Sequence, residues 1–160
     1  GDMLRDAITE GTELGKKASS IMDRGELVSD DIILSMIRDE LRKSSSDGFI
    51  FDGFPRNLEQ AKALDKILHE LELSLDLVIE IVVNDKVLIN RIENRAKESN
   101  NARSDDNEEV LKNRLNIYHK STEMIKPYYL EQEKLFKVDG MRSIKQVSSD
   151  IEGQLKNIKK

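Results

Sequence analysis

Apolar residues along this chain recur mostly at steps of three and four, the spacing of one helix face, and three short runs break that rhythm. Residues 2–10 read as a short helix stopped by Gly11, and 12–24 as a second stopped by Gly25, each glycine at a C-cap position. Ser29 can cap a third helix, with Asp30 and Asp31 at the positive end of its dipole and Ile33, Met36, Ile37 and Leu41 on one face. The polar run 44–48 breaks it. Helices are also predicted over about 58–71, from a capping Asp85 through about 97, and over about 107–125, where Pro127 kinks or restarts the chain. A last one begins at Ser143, with Ile144, Val147, Ile151, Leu155 and Ile158 as its apolar stripe.

The three exceptions read as strands. Phe49-Ile50-Phe51 is too uniformly apolar for a surface strand and is expected to be buried on both faces. The β-branched run 77–83 is the strongest strand signal, and 134–138 is the third, followed by a turn at Asp139-Gly140. Strands alternating with helices predict an α/β fold with a mostly parallel sheet, although 48 residues of helix and turn precede any strand.

Composition narrows the field. At 160 residues the chain fits one domain, and 38% hydrophobic with 36% charged residues is neither a disordered nor a membrane-spanning composition. A net charge of -5 provides no field that draws nucleic acid or anionic lipid, and 4% aromatics without Trp provide no stacking platform for bases. Without cysteine there is no thiolate metal site or nucleophile, and a cytoplasmic setting is expected.

The segment Asp52-Gly53-Phe54-Pro55-Arg56-Asn57-Leu58-Glu59-Gln60 carries the most specific chemistry. Asp52 follows a predicted strand at its carboxyl end, where open α/β sheets bind ligands, and a carboxylate there can hold Mg²⁺ directly or through water. Gly53 permits close approach to the backbone, Pro55 stiffens the turn, and Arg56 offers a planar fork for phosphate oxygens. One helical turn on, the Gln60 amide can pair with both a donor and an acceptor on a base edge. A second set is cationic: Arg91 and Arg95 share one helix face, Arg103 lies in the polar stretch 98–106, and Arg114 on the helix behind it. Taken alone, a salt-bridged solvent face is the better reading of those four.

Together, Gly1-Asp2-Met3-Leu4-Arg5, Gly25-Glu26-Leu27-Val28, Asp52 to Arg56 and the four arginines resemble adenylate kinase, in the family's motif order and over essentially the whole chain. That resemblance implies phosphoryl transfer from Mg-ATP to AMP giving two ADP, on a P-loop-kinase-like parallel sheet core with a helical AMP-binding domain and a mobile lid. The domains would be 1–28 (AMP-binding), 29–95 (core), 96–106 (a short lid) and 107–160 (core). Carried over by position, Arg5 and Arg56 would grip the AMP phosphate and Gln60 would read adenine. Met22, Glu26, Leu27 and Val28, with Gly53, Phe54 and Pro55, would line the pocket. Arg103 and Arg114 would straddle the phosphates in transfer, Arg91, Arg95 and Arg142 would serve the ATP side, and Asp52 would hold magnesium through water. Arg56, Arg91, Arg103 and Arg114 would be the catalytic set. No zinc is expected, since only seven residues separate Arg95 from Arg103 and cysteine is absent. The resemblance further implies a monomer with ATP and AMP as its small-molecule partners.

One part of the family pattern is missing. No G-x-x-x-x-G-K phosphate loop occurs, and the strand and helix around that loop are absent from the sequence too. The chain therefore reads as about the C-terminal four-fifths of an adenylate kinase, expected to be inactive as written and poorly soluble where unpaired strand edges remain. A non-catalytic AMP-binding protein and a nucleoside monophosphate kinase of other base specificity are the alternatives.

Overall fold

The computed structural model describes residues 2–24, 26, 28–43, 48–98 and 108–158. Three helices come first, α1 (Asp2–Thr9), α2 (Glu13–Asp23) and α3 (Asp30–Lys43), followed by α4 (Leu58–Glu70). Then come β1 (Val78–Val82), α5 (Asp85–Glu98), α6 (Glu108–Lys120), a 3-10 turn (Thr122–Met124), α7 (Ile125–Leu130), β2 (Leu135–Asp139) and α8 (Ile144–Leu155). Gly11, at φ 67°, ends the first helical unit in the left-handed conformation expected of a C-cap glycine.

β1 and β2 pair in parallel, Val78 opposite Leu135 and Val82 opposite Asp139. This makes a mixed α/β chain with a small parallel sheet and mostly helices. At the carboxyl end of β2 the chain turns at Gly140, whose N–H donates to Val82 O at 2.9 Å. A Cβ there would sit 2.5 Å from Val83 Cγ2 and 2.6 Å from Ile81 Cγ2, so only glycine lets the two strand ends meet. Among the described residues three clusters form the core: Ile37 and Leu41 of α3 against Leu64, Ile67 and Leu68 of α4; Leu4, Ala18 and Val28 among the first helices; and Ala61, Ile125 and Tyr129 beneath the sheet. A Lys126–Glu80 ion pair of 2.6 Å ties α7 to β1.

The expected strand Phe49-Ile50-Phe51 is not one. Its backbone is irregular and Ile50 is 91% exposed, because no described strand lies beside it to complete a ladder. Phe49 and Phe51 instead pack on the α3–α4 cluster. The long helix expected over 107–125 breaks at Ser121, and Pro127 falls in the first turn of α7, where its missing N–H interrupts no bond. The cap of α5 is Asn84, whose Oδ1 accepts from Lys86 N at 2.9 Å, one residue before the expected Asp85. Ser143 does cap α8, in a reciprocal capping box with Gln146. The apolar stripe of α8 is only half covered, and Ile144 is 90% exposed.

His119 joins α6 to its neighbours, its Nε2 3.0 Å from Asp85 Oδ2 and its Nδ1 3.2 Å from Glu123 Oε2. The hydrogen bond to Asp85, then that to Glu123, raises its pKa above the ordinary imidazole value. A raised folded-state pKa contributes stability that is complete below the unfolded value of about 6.5 and is lost as pH rises through the folded value. The chain should therefore melt at most about 2 °C above its His119→Gln variant near pH 6, with the gap closing as pH rises through the folded-state value. Thermal melts across that range check it; a gap that widened with pH would contradict the pairing.

Candidate functional site

The loop 51–57 is shaped by its own residues. Gly53 has φ 74°, a left-handed conformation that places its carbonyl to accept from Arg56 Nε at 2.8 Å. An added Cβ would lie 3.1 Å from Arg56 Nη2, so the guanidinium folds back over a position without a side chain. Asn57, in extended conformation, caps α4 by accepting from Gln60 N at 2.7 Å. Thr122 Oγ1 donates to Arg56 O at 2.7 Å and fixes the loop from the other side.

This loop forms one wall of an open cleft that also receives α1, α3 and α6. Arg5, Arg56 and Arg114 all line it, from three separate elements. Burial lowers the Arg56 pKa; Asp52 opposes that shift and the positive charge of Arg5 adds to it. A guanidinium stays protonated under such pressure, so the direction marks cationic charge that an anion in the cleft would relieve. Apolar side chains line the cleft as well, Val28 and, from α3, Ile33, Met36 and Ile37. A cationic end beside an apolar slot suits a planar aromatic ring carrying a phosphate.

Gln60 also lines the cleft and is 2% exposed. Its Oε1 accepts from Arg56 N at 2.7 Å, and its Nε2 donates to Asp30 Oδ1 at 2.7 Å. Each end of the amide thereby uses one of its two hydrogen-bonding valences, leaving one N–H and one lone pair. Asn57 Nδ2 donates to the same Asp30 carboxylate at 3.2 Å.

The other expected site residues divide into three groups. Glu26, Asp52, Gly53 and Phe54 line the cleft with those already named, and Pro55 follows in the same loop, half-buried, behind a cis Phe54–Pro55 peptide. The Glu26 carboxylate points back to Arg24 in a two-pronged pair of 2.9 and 3.0 Å, so its side chain is held away from a ligand by its neighbour. Arg91 and Arg142 lie elsewhere, at the end of the sheet: Arg91 Nη2 donates to Gly140 O at 2.9 Å, and Arg142 pairs with Asp150 of α8 at 2.5 Å. Leu27 and Arg103, the side chains of Met22 and Arg95, and the lid from 99 to 106 fall outside the described residues.

Periodicity and motif order did not single out Asp30 as more than a helix-dipole residue, nor Asn113, whose Nδ2 donates to Arg24 O at 2.7 Å and draws α6 to the α2–α3 loop. These contacts join positions 27 to 89 residues apart and leave no local signal.

Among the described residues no group of three or more His, Cys, Asp or Glu side chains is placed to hold a metal ion. Asp52, exposed at the cleft, fits contact through water with an ion carried in on a substrate, not a protein cage. No described helix is long and apolar enough to cross a membrane.

Comparison with known proteins points the same way. The family profile described as "Adenylate kinase" matches residues 1–134. A protein named adenylate kinase from Jannaschia sp. is 50% identical over 155 residues, covering 94% of this chain and 81% of that protein. One from Phenylobacterium zucineum is 49% identical, covering 97% and 81%, and one from Parvibaculum lavamentivorans 47%, covering 95% and 75%.

Proposed function

The chain belongs to the adenylate kinase family, phosphotransferases that convert ATP and AMP to two ADP, and we propose that the cleft between α1, α3 and α4 is its AMP site. The observation that carries this reading is the convergence of Arg5, Arg56 and Arg114 on one cleft beside an apolar slot and the buried Gln60 amide. Arg5 and Arg56 hold the AMP phosphate, the base lies along Val28 and Met36, and Gln60 meets its edge. Met22, Leu27 and the backbone at Glu26 complete the pocket, with Gly53, Phe54 and Pro55 forming its floor.

Transfer needs alignment more than covalent help. An oxygen of the AMP phosphate attacks the γ-phosphorus of ATP, the bond to the bridging β–γ oxygen breaks, and ADP leaves. Arg114 and Arg103 sit across the migrating group and offset its oxygen charge, and a short lid over 96–106 excludes water. Arg91 lies at the carboxyl ends of both strands, through Gly140, which supports an ATP-side role for it together with Arg95 and Arg142. Asp52 would hold, through water, the magnesium carried on ATP, and that ion would supply neutralisation of phosphate charge. The domain limits 1–28, 29–95, 96–106 and 107–160 follow this division of labour. A cytoplasmic monomer is the form we propose, and the absence of cysteine supports a reducing compartment.

Calorimetric titration tests the AMP site. The chain should bind AMP ahead of GMP, CMP and UMP, and Arg56→Ala should weaken AMP roughly 10- to 100-fold by removing a charge-assisted phosphate contact, while leaving adenosine nearly unchanged. Equal losses for AMP and adenosine would move the phosphate away from Arg56.

A further inference from the structure

We propose that Asp30 is a specificity-determining positioning residue: its carboxylate holds the Gln60 amide in one polarity, and that polarity selects a 6-amino purine over a 6-oxo purine. The proposal rests on the AMP reading of the cleft and adds to it the means of base choice. Gln60 is gripped by two groups of opposite and fixed character. The Asp30 carboxylate oxygen accepts from Nε2 at 2.7 Å, and the Arg56 backbone N–H, which can only donate, lies 2.7 Å from Oε1. A reversed amide would set oxygen against carboxylate and N–H against N–H, so polarity is dictated by the partners themselves.

Polarity is what distinguishes the two purine classes. A 6-amino purine presents a donor at position 6 and an acceptor at N1; a 6-oxo purine presents an acceptor and then a donor. For a base held in one orientation, one amide polarity satisfies one order and opposes the other. Because the family acts on AMP, the held polarity is the one that complements the 6-amino order. An amide free to turn would meet either edge; the fixed acceptor on α3 and the fixed donor at Arg56 N together supply the preference, and Asp30 is the one of the two that a side-chain substitution removes. Asp30 is itself anchored, since Asn57 Nδ2 donates to both carboxylate oxygens at 3.2 Å and Asn57 Oδ1 caps α4. The reading element and its holder are therefore locked to one helix start.

The test measures dissociation constants for AMP, IMP and ribose 5-phosphate on the full chain, Asp30→Ala and Asp30→Asn, with a thermal melt of each. The Ala variant should lose at least about 10-fold of the AMP-over-IMP ratio, chiefly through weaker AMP and stronger IMP. The Asn variant keeps an oxygen in place of Oδ1, the atom that accepts from both Gln60 and Asn57, and should retain most of the ratio. Both variants lose the charge in the first turn of α3, so a helix-stabilising role would lower both melts alike and weaken AMP and IMP together. An unchanged ratio in Asp30→Ala overturns the proposal while leaving the AMP site standing. An unmodified chain that binds AMP no better than ribose 5-phosphate would sink the base pocket itself, and the role of Asp30 with it.

Discussion

Supplied with ATP and AMP, the 160-residue polypeptide is expected to form no ADP above background in a coupled assay. Fusing to it a strand, glycine-rich loop and helix from a relative is expected to restore turnover. The reason lies on the ATP side. Phosphoryl transfer requires the donor's phosphates to be cradled, which backbone N–H groups of a glycine-rich loop at a helix start accomplish, with a lysine reaching the β- and γ-phosphates. This sequence contains no G-x-x-x-x-G-K. The described cations on that side are engaged with the protein itself, Arg91 with the Gly140 carbonyl and Arg142 with Asp150. Losing one oriented donor in a comparable site costs about 10²–10³ in rate, so loss of the whole cradle should leave less than about a thousandth of the restored activity. Among the described residues nothing pairs with the far edge of β1. Clear turnover by the unfused chain would show that ATP is held by other means.

The same open edge explains which parts of the fold could be read in advance. Helices were legible because their signal is local: periodic apolar faces and cap residues lie within one element, and α3 and α4 begin and end, and α8 begins, within a residue or so of the expected positions, whereas α8 stops at Leu155, short of the expected Ile158. A strand is different, because a ladder needs a neighbour. β1 and β2 have each other, whereas Phe49-Ile50-Phe51 has the composition of a buried strand with no described partner, and it stays irregular. The site divides along the same line. Asp52, Gly53, Arg56 and Gln60 were legible because one short stretch of sequence carries them, and Arg5 and Arg114 because the family pattern does. Asp30, Asn113 and Thr122 were not, because each acts on a residue far away in sequence, and a carboxylate in a helix's first turn already has an ordinary reading as a dipole partner. Three-dimensional contact is what converts that ordinary residue into a holder of the base-reading amide.

Replacing Arg114 by alanine in the fused, active form should lower kcat by about 10³-fold or more, with a much smaller effect on the melting temperature. Arg114 lines the cleft from α6, the same cavity that Arg56 and Arg5 line, so a phosphate gripped by those two lies within that cavity. A cation in that position gains most as charge spreads onto the oxygens of the group in transfer, and arginines in related reactions are worth about 10³–10⁵ in rate, roughly 4–7 kcal/mol. Arg56→Ala should act differently, raising the KM for AMP, because a ground-state phosphate contact is present before and during transfer. The kinetic split between the two variants therefore separates holding from accelerating. Arg114→Lys gives a further check: it keeps the charge but loses the planar fork, and should recover only part of the rate. Full recovery by lysine would reduce the role of Arg114 to charge alone. A melting temperature that fell in step with kcat in the alanine variant would instead make it a brace for α6.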